Sequence, residues 1–329
     1  TNCMPSKLTT VEDFAFANNT SLKKITMSLS GTRTDVYKSA ASLFLGCTHL
    51  ESITIGTGVG IIQQGAFKNA GSAKDENGNP VTKGVKVIFS SDVTQIMANA
   101  FEGVYFEKNT SLDFSSCSDL AGITAEAFKD AQNIESVVLP TYTTNDSGVT
   151  LGARAFAMTT LKSMYVVGDD KNKDKIFLPD YIKNVGEGCF YGDEQIEEVS
   201  LSPYLSKISD NIFDYCFKLK KIEQRIADNG DCLVTEIGDC AFRGTAIADT
   251  AFLLNMNQLT TIGYQHISDE DYEMQKGVWG SEKDDERESQ EHTDVETLPK
   301  GGQSDGNLDV TAGDGEKQKL FNNKPVGSE

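Results

Sequence analysis

A phenylalanine returns nine times along this chain in the same company: Phe16, Phe44, Phe67, Phe101, Phe128, Phe156, Phe190, Phe213 and Phe242. The separations are 28, 23, 34, 27, 28, 34, 23 and 29, so 23 reads as the bare unit and the longer intervals as units with insertions. Alanine precedes the ring in six frames: Ala15, Ala66, Ala100, Ala127, Ala155 and Ala241. Five residues before the ring stand Val11, Ile62, Ile96, Ile123, Leu151, Val185, Ile208 and Ile237, with Ser39 the exception. Eight before it stand Leu8, Val36, Val59, Val93, Leu120, Ile182, Leu205 and Val234, with Gly148 the exception. Six, nine and eleven residues after the ring come Leu22-Ile25-Met27, Leu50-Ile53-Ile55, Ile134-Val137-Leu139 and Ile196-Val199-Leu201. Leu219-Ile222 begins the same way, and Leu161-Met164-Val166 follows it one residue early. A shortened tenth frame carries Ile247, Ala251 and Phe252. One unit this short cannot bury its own apolar residues; stacked units bury them in continuous ladders.

Each column has a local reading. The L-x-x-I-x-I stretch sets its last two apolar residues two apart, on one face of a short strand. The aliphatic pair before the ring lies in a second extended or turning segment. The Ala-Phe step is expected to begin a short helical turn, with Ala against the neighbouring coil and Phe filling the interior. Nine to ten such coils at the strand spacing give a body roughly 45 Å long. The expected fold is a repeat solenoid of short parallel strands and short helical turns.

Three stretches carry a resemblance: IGDCAFRG (237–244), VGEGCFYGDEQIEEVSLSPYLSKISDNIF (185–213) and ITAEAFKDAQNIESVVLP (123–140). Together they resemble the BspA-like leucine-rich repeat family, whose unit reads I-G-x-x-A-F-x-x-C-x-x-L-x-x-I-x-I-P. Cys47 and Cys216 match its cysteine, and Pro140, Pro179 and Pro203 lie at or near its proline. The resemblance spans about residues 8–263 and implies right-handed stacked coils. It also implies a secreted or surface-exposed protein, chiefly bacterial, used for adhesion or protein binding.

Residues 1–263 therefore read as the solenoid, and residues 264–329 as an acidic tail or small capping segment. The latter hold 17 Asp+Glu and 7 Lys+Arg, so −10 of the net charge of −19 lies there, with the only Trp, Trp279. Such a chain repels phosphate backbones, which disfavours nucleic-acid partners. No apolar run approaches the ~18 residues of a membrane span. Residues 68–84, with turn chemistry at Asn77-Gly78-Asn79-Pro80, and 141–148 and 168–175 read as polar loops. No basic-then-apolar leader is visible and the chain opens almost in mid-repeat, as a mature or trimmed chain would. Seven cysteines without a C-x-x-C pair give no zinc or redox motif. Most read as small buried side chains; Cys232 and Cys240 are near enough in sequence for a local bridge, and Cys3 reads as a loop cysteine, with a former lipidation site as the alternative.

No catalytic constellation emerges. Of the histidines only His49 lies in the solenoid, on a turn; His266 and His292 lie in the tail. Gly56-Thr57-Gly58-Val59-Gly60 lacks the Lys-Ser/Thr of a phosphate loop and reads as a turn. Asp170-Lys171-Asn172-Lys173-Asp174 opens like a calcium loop, but Lys175 and Tyr181 occupy the required Gly and Glu positions. No enzyme, cofactor or metal is expected. The sequons at Asn18, Asn19, Asn109 and Asn145 matter only in a eukaryotic secretory route. The informative positions are strand residues directed away from the core: Lys24, Thr26, Ser52, Thr54, Ser136, Val138, Ser163, Tyr165, Glu198 and Ser200. Stacked, they line one exposed sheet face, the usual ligand platform of a solenoid. The expected role is a non-enzymatic scaffold binding extracellular or host proteins through that face. A carbohydrate-binding module is the alternative, with Tyr165 its one placed aromatic.

Overall fold

Two strand columns and one ring column organise each coil. In the computed structural model, residues 10–29, 40–230, 232–248 and 251–263 are described, with the backbone of three further short strands, Thr293–Asp294, Asp309–Thr311 and Lys317–Lys319. The expectations for Cys3, Leu8, Val36, Ser39, Trp279, His266 and His292 lie outside the described residues. The stretch after each ring forms the first face. There β1 (Lys24–Met27), β2 (Ser52–Ile55) and β4 (Lys86–Phe89) make a parallel three-stranded sheet. A parallel six-stranded sheet continues it, in the order β15 (Lys221–Gln224), β13 (Glu198–Leu201), β11 (Ile176–Phe177), β10 (Ser163–Val166), β8 (Gln132–Leu139) and β6 (Tyr105–Asp113).

The aliphatic pairs before the rings form the second face. Its first sheet holds β3 (Ile61–Ile62), β5 (Gln95–Ile96), β7 (Gly122–Ile123), β9 (Val149–Leu151) and β12 (Ile182–Val185). Its second holds β14 (Lys207–Ile208), β16 (Glu236–Ile237) and β17 (Thr261–Ile262), with Thr293–Asp294 antiparallel on the edge. Because like residues pair across coils, side chains stack in rows. Leu112, Val137, Met164, Ile176, Val199 and Ile222 make one buried row.

The phenylalanines form one ladder. Eight consecutive stacked contacts join Phe16 to Phe242, with centroids 5.1–6.0 Å apart and rings within 18° of parallel. Phe252 of the shortened tenth frame leaves the ladder and meets Phe242 edge-on, at 72°.

The Ala-Phe step is not the helical turn its spacing suggests. Among the described residues the one helical element is a 3-10 turn, Ala251–Asn255. Instead the ring segment bonds to the next coil. Phe67 N–H donates to Ala100 O at 2.8 Å, Phe101 to Ala127 at 2.7 Å and Phe128 to Ala155 at 2.8 Å. Residues two before and two after every ring have φ between +52° and +72°. These left-handed residues bracket a turn in which every second N–H donates to the next coil, as those of Gly65, Phe67 and Asn69 do, while the N–H groups between them, such as Ala66 to Gln63 O, bond within the coil. A helix would have spent these groups within the coil. The family cysteines fit the same scheme: the Cys47 thiol donates to Phe16 O and the Cys216 thiol to Phe190 O, both at 3.1 Å. Cys232 and Cys240 are buried thiols and do not form a bridge.

The glycine of the I-G step has a packing cause. A Cβ on Gly186 would lie 2.4 Å from Ala153 N and 2.6 Å from Gly152 C, backbone that no rotamer change can clear. Gly186→Ala is therefore expected to cost about 1–3 kcal/mol through forced backbone displacement, read as a lower urea midpoint at unchanged m-value.

Candidate functional site

Alternation along each strand fixes which residues face outward, and register places them in rows. On the three-stranded sheet, Lys24, Ser52 and Lys86 form one outward row and Thr26, Thr54 and Ile88 the next. Lys24, Thr26 and Ile88 are exposed; Ser52 and Thr54 are half-buried. On the six-stranded sheet one outward row runs Ser111, Ser136, Ser163 and, across β11, Glu198 and Lys221. The other runs Asp113, Val138, Tyr165, Phe177, Ser200 and Glu223. The β10–β11 step of that row extends the Met164–Ile176 pairing by one residue.

Of the ten residues expected on an exposed face, seven are exposed or half-buried there and three are not. Ser200 is 0% exposed, Ser163 6% and Val138 9%. They lie on outward strand positions but have little exposed area. Ser200 lies beside Phe177, whose ring is capped by the Arg225 guanidinium at 4.4 Å. Arg225 is in turn held by Asp180 at 2.6 Å and by Leu178 O. Val138 lies beside Tyr165, and Ser163 beneath the segment leading into β11.

That segment is the part sequence reasoning read only as a polar loop. Residues 168–175 leave the coil and return through β11, which inserts an extra strand between β10 and β13. The loop borders an open groove of about 850 Å³ on the face. Ser136, Ser163, Tyr165 and Glu198 line it, as expected of face residues; Asn109, Lys171, Lys173, Asp174, Lys175 and Gln195 line it unforeseen. The 34-residue interval from Phe156 to Phe190 and the alternating K-N-K-D-K of 171–175 were the available signals.

Ion pairs join one coil to the next across the face. Lys23 meets Glu51 at 3.1 Å, Lys162 meets Glu135 at 2.9 Å, Lys220 meets Glu197 at 2.6 Å and Lys221 meets Glu198 at 3.1 Å. The hydrogen bond and charge of Lys220 hold the Glu197 carboxyl below its usual range. Exposed pairs of this kind contribute about 0–1 kcal/mol each. Their effect is on register and on the polarity of the surface.

Other singled-out residues take local roles. His49 Nδ1 lies 3.3 Å from Thr48 Oγ1 on its turn. Gly58 N–H donates to Asp92 at 2.6 Å, so a carboxylate already occupies that glycine turn. Asp169 binds Asn172 within its own loop. Among the described residues no helix is long and apolar enough to cross a membrane.

The sequence matches the family model described as BspA type leucine rich repeat region in six copies, over residues 2–77, 79–173 and 169–272. No curated protein matches the chain. Solved structures that the chain matches include the T. pallidum leucine rich repeat protein, 16% identical over 70% of this chain and 80% of that one, with a TM-score of 0.37. A leucine rich cell surface protein from Faecalibacterium prausnitzii is 16% identical over 80% and 85%, TM-score 0.33. A leucine-rich repeat protein from Eubacterium ventriosum is 14% identical over 72% and 68%, TM-score 0.40.

Proposed function

This chain belongs to the BspA-type leucine-rich repeat family, and on that premise we propose that it is a non-enzymatic scaffold that binds other proteins outside the cell, secreted or held at a surface. The observation that supports this reading is the face itself. Eight of the nine strands of this face, all but β11, present hydroxyl or charged side chains, on a core held by the phenylalanine ladder. A surface fixed by coil stacking needs no ordering on binding, which lowers the entropic cost of engaging an extended partner. The family resemblance supports the location and the adhesive role. Matrix or host proteins are the proposed partners.

Single substitutions at separated points along the face provide the test. Thr26→Arg on β1, Thr54→Arg on β2 and Glu198→Arg on β13 place bulk and charge on outward positions without touching the core. Binding to immobilised fibronectin, laminin and fibrinogen is measured by biolayer interferometry. Each change is expected to weaken at least one of these interactions roughly three- to tenfold, with effects that add for the distant pair Thr26 and Glu198. Capture of none of the three proteins by the unaltered chain, or no loss in any variant, would overturn the reading.

A further inference from the structure

The groove beside residues 168–175 differs in chemistry from the open face around it. Tyr165 is the one side chain of its lining with a large apolar surface; the rest are Lys, Glu, Asp, Ser, Asn and Gln. Protein–protein hot spots use clusters of aromatic, apolar and Arg side chains in desolvated pockets. This lining has no such cluster.

Its charge is also nearly balanced within a chain of net charge −19. Five lysines face four carboxylates. The strand members are already paired, Lys162 with Glu135 and Lys221 with Glu198. An acidic or basic polymer would have to break those pairs to use the charges of the floor. A hydroxyl-rich chain need not, because each hydroxyl both donates and accepts and can bridge an ammonium and a carboxylate together. Ser136 and Ser111, bonded at 2.8 Å, extend the same polar floor.

Size and rigidity agree with a short linear ligand. The groove's volume of about 850 Å³ lies within the roughly 300–1,000 Å³ of small-ligand sites. Its floor draws side chains from five strands, β6, β8, β10, β13 and β15, which with β11 among them span about 24 Å at the strand spacing. The floor is sheet, so its groups stand pre-positioned.

We infer that this groove binds a neutral oligosaccharide, with the Tyr165 ring as the stacking platform and the paired lysine and carboxylate heads as hydrogen-bonding walls. This function is separate from protein binding by the face as a whole and does not depend on it.

The test is calorimetric titration of the full chain with cellohexaose, maltohexaose and N-acetylchitohexaose, beside polygalacturonate and hexaglutamate. At least one neutral hexaose is expected to bind and to outcompete both anionic chains. Tyr165→Ala is expected to weaken that binding about tenfold, while Tyr165→Phe, which keeps the ring face, stays within about threefold. Unchanged thermal melting in both variants would separate the loss from misfolding. Binding of no neutral hexaose, equal binding by Tyr165→Ala, or preference for polygalacturonate or hexaglutamate would each overturn the inference. Fibronectin, laminin and fibrinogen capture by Thr26→Arg and Thr54→Arg, which lie outside the groove, reports on the face independently, so either idea can fail while the other stands.

Discussion

Phe128→Ala is expected to lower the unfolding free energy by about 3–5 kcal/mol, the range for deleting a fully buried aromatic side chain. Phe128 lies mid-ladder, 5.1 Å from Phe101 and 5.3 Å from Phe156, with Phe106 tilted against it at 6.5 Å. It is fully buried. Removing the ring opens a void that two neighbouring rings cannot close, because each is held by its own coil's bonds to the next. Phe128 N–H is itself bonded to Ala155 O, so the backbone has little room to collapse. In a stacked array the interface terms between adjacent coils carry much of the stability, and this change weakens two of them. Phe16→Ala is the internal control. That ring is 36% exposed and has one stacked partner, Phe44, so its loss costs visibly less. Urea unfolding of the two variants side by side makes the comparison, and equal losses would argue against a ladder with a buried middle and an open end.

The second large effect comes from Asp193, a carboxyl in the column three residues after the ring. Other coils place Cys47, Ala70, Val104, Ala131, Thr159, Cys216 and Thr245 there. Asp193 is fully buried; its Oδ1 accepts from Thr159 N–H at 2.8 Å and Thr159 Oγ1–H at 2.7 Å. Among the described residues its Oδ2 has no hydrogen-bond partner. Burial pushes the carboxyl well above its ordinary range, and the two bonds from Thr159 offset only part of that. At a pH below the unfolded value the group is protonated in both states and contributes no pH dependence. As pH rises past that value the unfolded chain releases a proton that the folded chain still holds. Stability therefore falls with rising pH up to the folded value, by at most about 1.4 kcal/mol per pH unit from this group. Asp193→Asn keeps the acceptor for Thr159 and removes the ionisation. The variant is expected to be more stable than the parent at pH 7–8, with the difference shrinking steadily toward pH 4. Thermal melts across that range provide the measurement; parallel curves for the two proteins would show that Asp193 does not titrate as a buried group.

How much of this was legible in the sequence depended on whether a residue's role follows from its own column. The rings, the inner strand rows and the glycine of the I-G step were readable because stacking makes each repeat position face the same neighbours every time. The helical reading of Ala-Phe failed because non-glycine residues adopt left-handed backbone there. Arg154, Met158 and Tyr215 carry no composition signal for a positive φ. Inter-coil hydrogen bonds impose it, and those are visible only once the coils are stacked. On the outward face, alternation gave direction but not exposure. Ser200 lies on an outward strand position yet is buried, beside Phe177, which an insertion brings there and Arg225 of the following coil caps. The groove was out of reach for the same reason. It is bordered by an insertion outside every column, whose position depends on β11 joining the sheet.

A double-mutant cycle on the ladder tests the central claim most directly. Phe101→Leu and Phe128→Leu, singly and together, are compared with Phe67→Leu and Phe213→Leu, all by urea unfolding. A shared stacked interior predicts a coupling of about 0.5–1.5 kcal/mol between Phe101 and Phe128. It also predicts additivity within about 0.5 kcal/mol for Phe67 and Phe213, which are several coils apart. Additive losses for Phe101 and Phe128, or equal coupling in both pairs, would contradict it.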